Sequence, residues 1–319
     1  MTFEHANVQT SCRPWGSHDL RPWSLSGNPD AAIGELRFER SETQAPDPAL
    51  LLKLLFTKEK LSIQVHPDDA FAQTMGMANG KTEAWYVLSA EDGAQVAIGL
   101  DRPLTQSQLR DAITDGSIAD LVKWQPAAPG DVFFVPAGTI HAIGAGLVIA
   151  EIQQRSDTTF RLFDHGRLRE LHIDQALAVA DLVPARPEMM PMHLTVERLK
   201  LVSCAFFVLE RIDLPPEANW ELQAQRETWG LVIAGDATIG SMRACVGDVF
   251  FAEADRSVIN VGRSGLTVLL AYADSAPQPG LLRDLDDRQS QLPVRDLTRP
   301  DISSRIPVSV LPRSMEGRP

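Results

Sequence analysis

The hexapeptide Gly130-Asp131-Val132-Phe133-Phe134-Val135 returns 117 residues later as Gly247-Asp248-Val249-Phe250-Phe251-Ala252. In both places a Gly-Asp turn feeds a β-rich run, and a second apolar run follows at 147–152 and 266–273. Two copies of one β unit are the economical explanation, and that sets the architecture to be expected. The copies are not equivalent. At the same offset His141 falls on Val258, and no histidine lies beyond His193. Any histidine-based site belongs to the first copy, which leaves the second a scaffolding role.

Most of the remaining sequence reads as short strands. Runs at 61–65, 84–88, 95–98, 131–135, 147–153 and 158–163 are rich in Val, Ile and aromatics, with Gly, Pro, Asp and Asn between them. Such spacing predicts a mainly β chain built as an antiparallel sandwich or jelly roll. Two stretches break the pattern. Residues 105–124 carry apolar positions at helical spacing and predict a helical insertion at about 103–124, and 171–182 predict a second helix. The expected division is a metal-binding unit at 1–190, a degenerate second unit at 191–274 and an extended Pro- and Arg-rich tail at 275–319. Ile302, Ile306, Val308, Val310 and Leu311 are placed to wrap that tail around the second unit.

Charge narrows the partners. The chain carries a net charge of −12, with 44% hydrophobic and 23% charged residues. A globular protein this acidic repels phosphate backbones and anionic lipid, so neither nucleic acid nor membrane is expected as partner. The opening residues lack a basic segment followed by an apolar core, and no apolar run approaches the roughly 20 residues needed to span a bilayer. The expected location is the cytoplasm. Cys12, Cys204 and Cys245 are far apart and show neither disulfide-framework nor zinc-finger spacing.

The chemistry is concentrated between residues 61 and 141. In Leu61-Ser62-Ile63-Gln64-Val65-His66-Pro67, strand alternation puts Leu61, Ile63 and Val65 on one face and Ser62, Gln64 and His66 on the other. Gly80-Lys81-Thr82-Glu83-Ala84-Trp85 puts Lys81 and Glu83 on a common face, and Arg161 shares a face with Thr159 and Phe163. A barrel turns such faces inward. The pattern predicts a polar pocket containing Ser62, Gln64, His66, Lys81, Glu83, His141 and Arg161. Two imidazoles, a carboxylate and an amide oxygen suit zinc, iron, manganese, cobalt or nickel, and a set of this kind without cysteine leaves a coordination position open for water or substrate.

Four segments in order carry a family resemblance. They are 53–69, 80–85, 130–141 and 151–164, the last reading Glu151-Ile-Gln-Gln-Arg-Ser-Asp-Thr-Thr-Phe-Arg-Leu-Phe-Asp164. With Arg13-Pro14-Trp15-Gly16 near the start, they resemble type I mannose-6-phosphate isomerase, in its short bacterial form, over about residues 10–270. The resemblance implies a pair of cupin (jelly-roll) barrels, which agrees with the repeat. It implies one divalent metal ion, zinc, bound by Gln64, His66, Glu83 and His141. It also implies a sugar-phosphate substrate, with interconversion of mannose 6-phosphate and fructose 6-phosphate through a cis-enediol, in a monomer or homodimer.

By position in that family, Arg161 is the catalytic arginine, and Glu151 and Lys81 are pocket residues. Glu151 is chosen as the base, with His141 and a metal-bound water left open. Lys53, Ser62 and Arg167 match positions that face the phosphate. His165 and His172 are expected to bind no metal. Two departures stand out: the family commonly has Asn where Arg155 stands and Tyr where Phe160 stands. Two other readings compete. A cupin oxygenase would use the same two histidines and carboxylate, but has no need of the cationic Lys81 and Arg161. A non-catalytic sugar-phosphate-binding cupin has no need of an intact ligand set.

Overall fold

A computed structural model describes residues 2–25, 30–42, 45–185 and 190–287, of which those up to Asp286 form one unit. Its strands pair antiparallel throughout. The first copy is two facing sheets rather than a closed barrel. One has six strands, in the order Asn7–Ser17, Ile33–Glu39, Leu50–Thr57, Leu147–Gln154, Glu83–Ala90 and Val132–Val135. The other has five: Phe160–Phe163, Ile63–Val65, His141–Ile143, Gln95–Leu100 and Val122–Pro126. The second copy is one ten-stranded sheet built on two long strands, Thr228–Ile239 and Asp255–Tyr272. Their register shifts near Gly235, which sits at φ 73° against Gly265. A side chain at Gly235 would collide with the Gly265 carbonyl oxygen, 1.9 Å from the position of a Cβ.

Alternation decides which face each strand buries. Ile63, Val65, Ala142 and Leu162 turn outward from the five-stranded sheet onto Leu109, Ile113, Ile118 and Ala176. The helices Gln106–Asp115 and Ile173–Val179 cover that face. The first of them opens with a reciprocal capping box between Thr105 and Gln108 and stops at Gly116, whose φ of 83° ends it. The helical insertion is thus shorter than expected. A 3-10 turn at Ser117–Asp120 follows, and Val122-Lys-Trp-Gln-Pro126 pairs with Gln95–Leu100 as a strand. The alternation in that short run outweighed the helical spacing read across 105–124.

The two copies pack sheet against sheet. Leu52, Leu54 and Ile152 of the first meet Leu209, Trp229 and Leu269 of the second. Glu227 fastens this packing: its carboxylate accepts the backbone N–H groups of Ala49 and Leu50 and the indole N–H of Trp229. Glu227→Ala leaves the Ala49 N–H and the buried Leu50 and Trp229 N–H groups without this acceptor and should cost about 2–3 kcal/mol. Urea denaturation checks this; an unchanged midpoint would show that the carboxylate does not fasten the packing. Inside the second copy the buried charges are matched. Arg198 donates twice to Glu210 at 2.8 Å, and the Tyr272 hydroxyl donates to the same carboxylate.

Two segments cross the boundaries expected from the sequence. Thr2–His5 pairs with Val249–Glu253 in the second copy's sheet, and Leu282–Asp284 adds a strand to Asn219–Ala224. Ile302, Ile306, Val308, Val310 and Leu311 lie outside the described residues. Among those described, no helix is long and apolar enough to cross a membrane, and Cys12, Cys204 and Cys245 are free thiols.

Candidate metal centre

Gln64 and His141 face each other across the pair formed by Ile63–Val65 and His141–Ile143, and Arg161 faces Gln64 from the other side. Glu83 begins the strand of the opposing sheet. The two sheets therefore bring His66, Glu83 and His141 together, all buried, with ligand atoms within 4.8 Å of one another. His66 Nε2 and His141 Nε2 each lie 3.5 Å from a Glu83 oxygen, one on Oε2 and the other on Oε1.

Backbone carbonyls set the imidazoles. His66 Nδ1 is 2.9 Å from the Thr158 oxygen and His141 Nδ1 is 2.9 Å from the Thr139 oxygen. A carbonyl only accepts, so both Nδ1 atoms carry the proton and both Nε2 lone pairs face Glu83. His66 Nε2 and Glu83 Oε2 are buried without a hydrogen-bond partner. The Lys81 ammonium approaches Oε2 to 3.2 Å but leaves the His66 lone pair unanswered, so the donor set fits a divalent metal. Gln64 Nε2 lies 3.2 Å from His141 Nε2, and Ser62 Oγ donates to Gln64 Oε1 at 3.2 Å. A half-turn of the amide presents Oε1 to the centre and lets Nε2 donate to Ser62 instead. That orientation would offer the Gln64 oxygen as a fourth donor.

Both imidazoles are held neutral. Burial pushes His141 down to about 4 and His66 well below its ordinary value, and the Lys81 ammonium adds to both shifts. In an unfolded chain histidine titrates near 6.5. Between about pH 6.5 and 4 the unfolded chain takes up protons that the folded, metal-free protein refuses. Stability is full above that window and falls on acidification, by about 2 kcal/mol from His141 alone at pH 5. Denaturation of the chelated protein at pH 7.5 and 5 measures the loss. His141→Gln should flatten it, and an equal slope in that variant would contradict the assignment.

A second layer of charge surrounds the ligands. Lys81 Nζ lies 3.2 Å from Glu83 Oε2. Burial alone would push Lys81 down, but the Glu83 and Glu151 carboxylates outweigh it and the net shift is upward. Glu151 is buried beside them, its carboxyl pushed up by burial and by repulsion from Glu83, with Lys81 and Lys53 opposing. Lys53 Nζ is 3.6 Å from Glu151 Oε1 and donates to Gln153 Oε1 at 2.9 Å. Burial and the nearby Lys81 push Lys53 down.

The structure thus gathers Lys53, Ser62, Gln64, His66, Lys81, Glu83, His141 and Glu151, with Arg161 on the neighbouring strand. Arg161 donates from its guanidinium to the Glu170 carbonyl at 2.8 Å, while its Nε is buried and unpartnered. Arg167 stands apart. Its contacts are Asp164, Glu59 and the Lys60 carbonyl rather than any ligand. His165 binds the Leu61 carbonyl, and His172 accepts the Arg161 backbone N–H. Arg155 points away to Glu39 and Pro48, and Phe160 is core beneath Phe71. Sequence reading missed Trp85, Gln153 and the carbonyls of Thr139 and Thr158. Of these, only the Trp85 side chain, two residues from Glu83, offered a signal.

The second copy has no such centre among its described residues. Val258 pairs with Glu221 as His141 pairs with Gln64, but Val258 is 38% exposed. The inward-facing pair is its neighbour, Trp220 with Ile259, both buried in apolar core.

No protein-family model matches the chain. A mannose-6-phosphate isomerase of Streptococcus mutans is 41% identical over 172 residues, 50% of this chain and 53% of that protein. Mannose-6-phosphate isomerase ManA of Bacillus subtilis is 37% identical over 185 residues, 54% of this chain and 58% of that protein. The chain spans about half the length of these curated relatives. The crystal structure of the mannose 6-phosphate isomerase from Bacillus subtilis superposes with a TM-score of 0.72 at 24% identity, covering 84% of this chain and 98% of that one. The chain is therefore similar in sequence to named mannose-6-phosphate isomerases over about half of its length, and their fold extends over most of it.

Proposed function

We propose that the protein interconverts mannose 6-phosphate and fructose 6-phosphate, with one divalent metal, zinc, held by Gln64, His66, Glu83 and His141. The observation that carries this is the buried His66–Glu83–His141 cluster, with both Nε2 lone pairs converging, beside a second buried carboxylate with its own lysine. Moving a proton between C1 and C2 requires acidifying a C–H next to a carbonyl. The metal would supply the ordering of sugar oxygens and the polarisation of that carbonyl.

The chain's own residues do the rest. Glu151, with its carboxyl raised toward neutrality, takes and returns the proton. Lys53 beside it limits that rise and holds it in place. Lys81 fixes Glu83. Arg161 brings a permanent charge and a free Nε to the enediolate oxygens. Ser62 and Arg167 are proposed at the phosphate with Lys53, Ser62 from the Gln64 face and Arg167 from the loop after Phe163. The named isomerases to which the chain is similar support the substrate.

A coupled assay for fructose 6-phosphate tests the reading, with zinc-loaded protein, mannose 6-phosphate and a chelated control. Conversion by the loaded protein and loss on chelation are expected. No conversion by fully loaded protein would sink the proposal.

A further inference from the structure

Trp85 touches three residues of the centre, Glu83, Glu151 and His141, and no role above includes it. Its indole N–H lies 3.1 Å from Glu83 Oε1 and 3.2 Å from Glu151 Oε2, so one donor is shared between the two carboxylates. Its ring meets His141 edge-on, with centroids 5.5 Å apart. The side chain is fully buried, and its strand position lies between Glu151 on one side and Phe133 on the other. Two carboxylates this close repel each other, and a shared donor holds them at a fixed separation.

The repeat supplies an internal comparison. Phe133 corresponds to Phe250, and Gly230 lies between Leu270 and Phe250 as Trp85 lies between Glu151 and Phe133. At Gly230 the Phe250 ring comes within 2.0 Å of where a Cβ would be, so no side chain fits. The second copy has thus lost the indole and the second carboxylate together. It does keep a Glu-x-Trp pair one residue out of register. Trp229 donates to Glu227 at 3.0 Å, but on the face packed between the copies. The indole–carboxylate bond is available elsewhere in the fold; only in the first copy does it bridge a metal ligand to a second acid.

We propose that Trp85 is a positioning residue, setting the geometry of Glu83 toward the metal and of Glu151 toward the substrate; for its kinetic arm this rests on the isomerase reading above. Replacing the N–H while keeping the ring tests it. Trp85→Phe removes the donor, and β-(3-benzothienyl)alanine at position 85 removes it at nearly constant shape, should the smaller ring disturb folding. Trp229→Phe removes the matching bond away from the centre.

Each protein is loaded with Co(II), and both its visible absorption and its turnover per bound cobalt are measured. Both replacements at 85 should shift the cobalt bands and lower kcat on the order of 10–100-fold with KM unchanged. Trp229→Phe should lower Tm alone. Cobalt bands and kcat per cobalt equal to wild type in the benzothienyl variant would overturn the proposal. If neither the zinc-loaded nor the cobalt-loaded wild-type protein converts mannose 6-phosphate, the isomerase reading fails, and the absorption comparison decides the role of Trp85 by itself.

Discussion

Arg161→Ala should lower kcat on the order of 10³-fold while metal content stays at the wild-type level. Arg161 lies across the strand pair from Gln64, on the strand beside the candidate ligands and not among them. It is held at two points: its backbone N–H donates to His172 Nδ1, and its guanidinium donates to the Glu170 carbonyl. The buried Nε is left without a partner, and it is this donor that is proposed to meet a substrate oxygen. A group that stabilises charge only as the enediolate forms affects kcat more than KM. Steady-state kinetics with parallel metal analysis reads both quantities. Near-normal turnover would remove Arg161 from the mechanism.

Glu151→Gln should lower kcat about 10²- to 10⁴-fold, the range for loss of a positioned base. The substitution keeps shape and an acceptor oxygen for the Trp85 N–H, and removes the negative charge facing Lys53 together with the capacity to take a proton. Glu151 is not among the atoms that could hold the metal, so metal content should not change. Wild-type turnover in D2O should also place deuterium at C2 of recovered mannose 6-phosphate, and the variant should not. Exchange persisting in Glu151→Gln would move the base to another group, with a metal-bound water next in line.

The alternation at 61–67 needed only local geometry, so Ser62, Gln64 and His66 were legible as one face, and the outward burial of Ile63 and Val65 follows from it. The repeat showed in the same way that only one copy keeps histidines. What was not legible depends on register between distant strands. Trp85 meets Glu151 across a pairing of residues 66 apart, and nothing local to either residue announces it. The carbonyls of Thr139 and Thr158 fix both imidazoles, but every residue has a carbonyl. A one-residue change of facing turns Val258 to solvent and Ile259 inward, which a constant sequence offset cannot register. Arg155 finds Glu39, 116 residues away, and so leaves the pocket. The helix at Gln106–Asp115 was legible from its periodicity; its end at Gly116 was blurred because a strand of similar composition follows closely.

The proposed isomerisation depends on one metal centre, in one of the two copies. A titration of zinc into chelated protein, followed by conversion of mannose 6-phosphate at each point, tests it most directly. Activity should rise in proportion to bound zinc and level off at one equivalent per chain, with His66→Ala binding none at that site. Full activity in the metal-free protein, or activity still rising toward two equivalents, would contradict it.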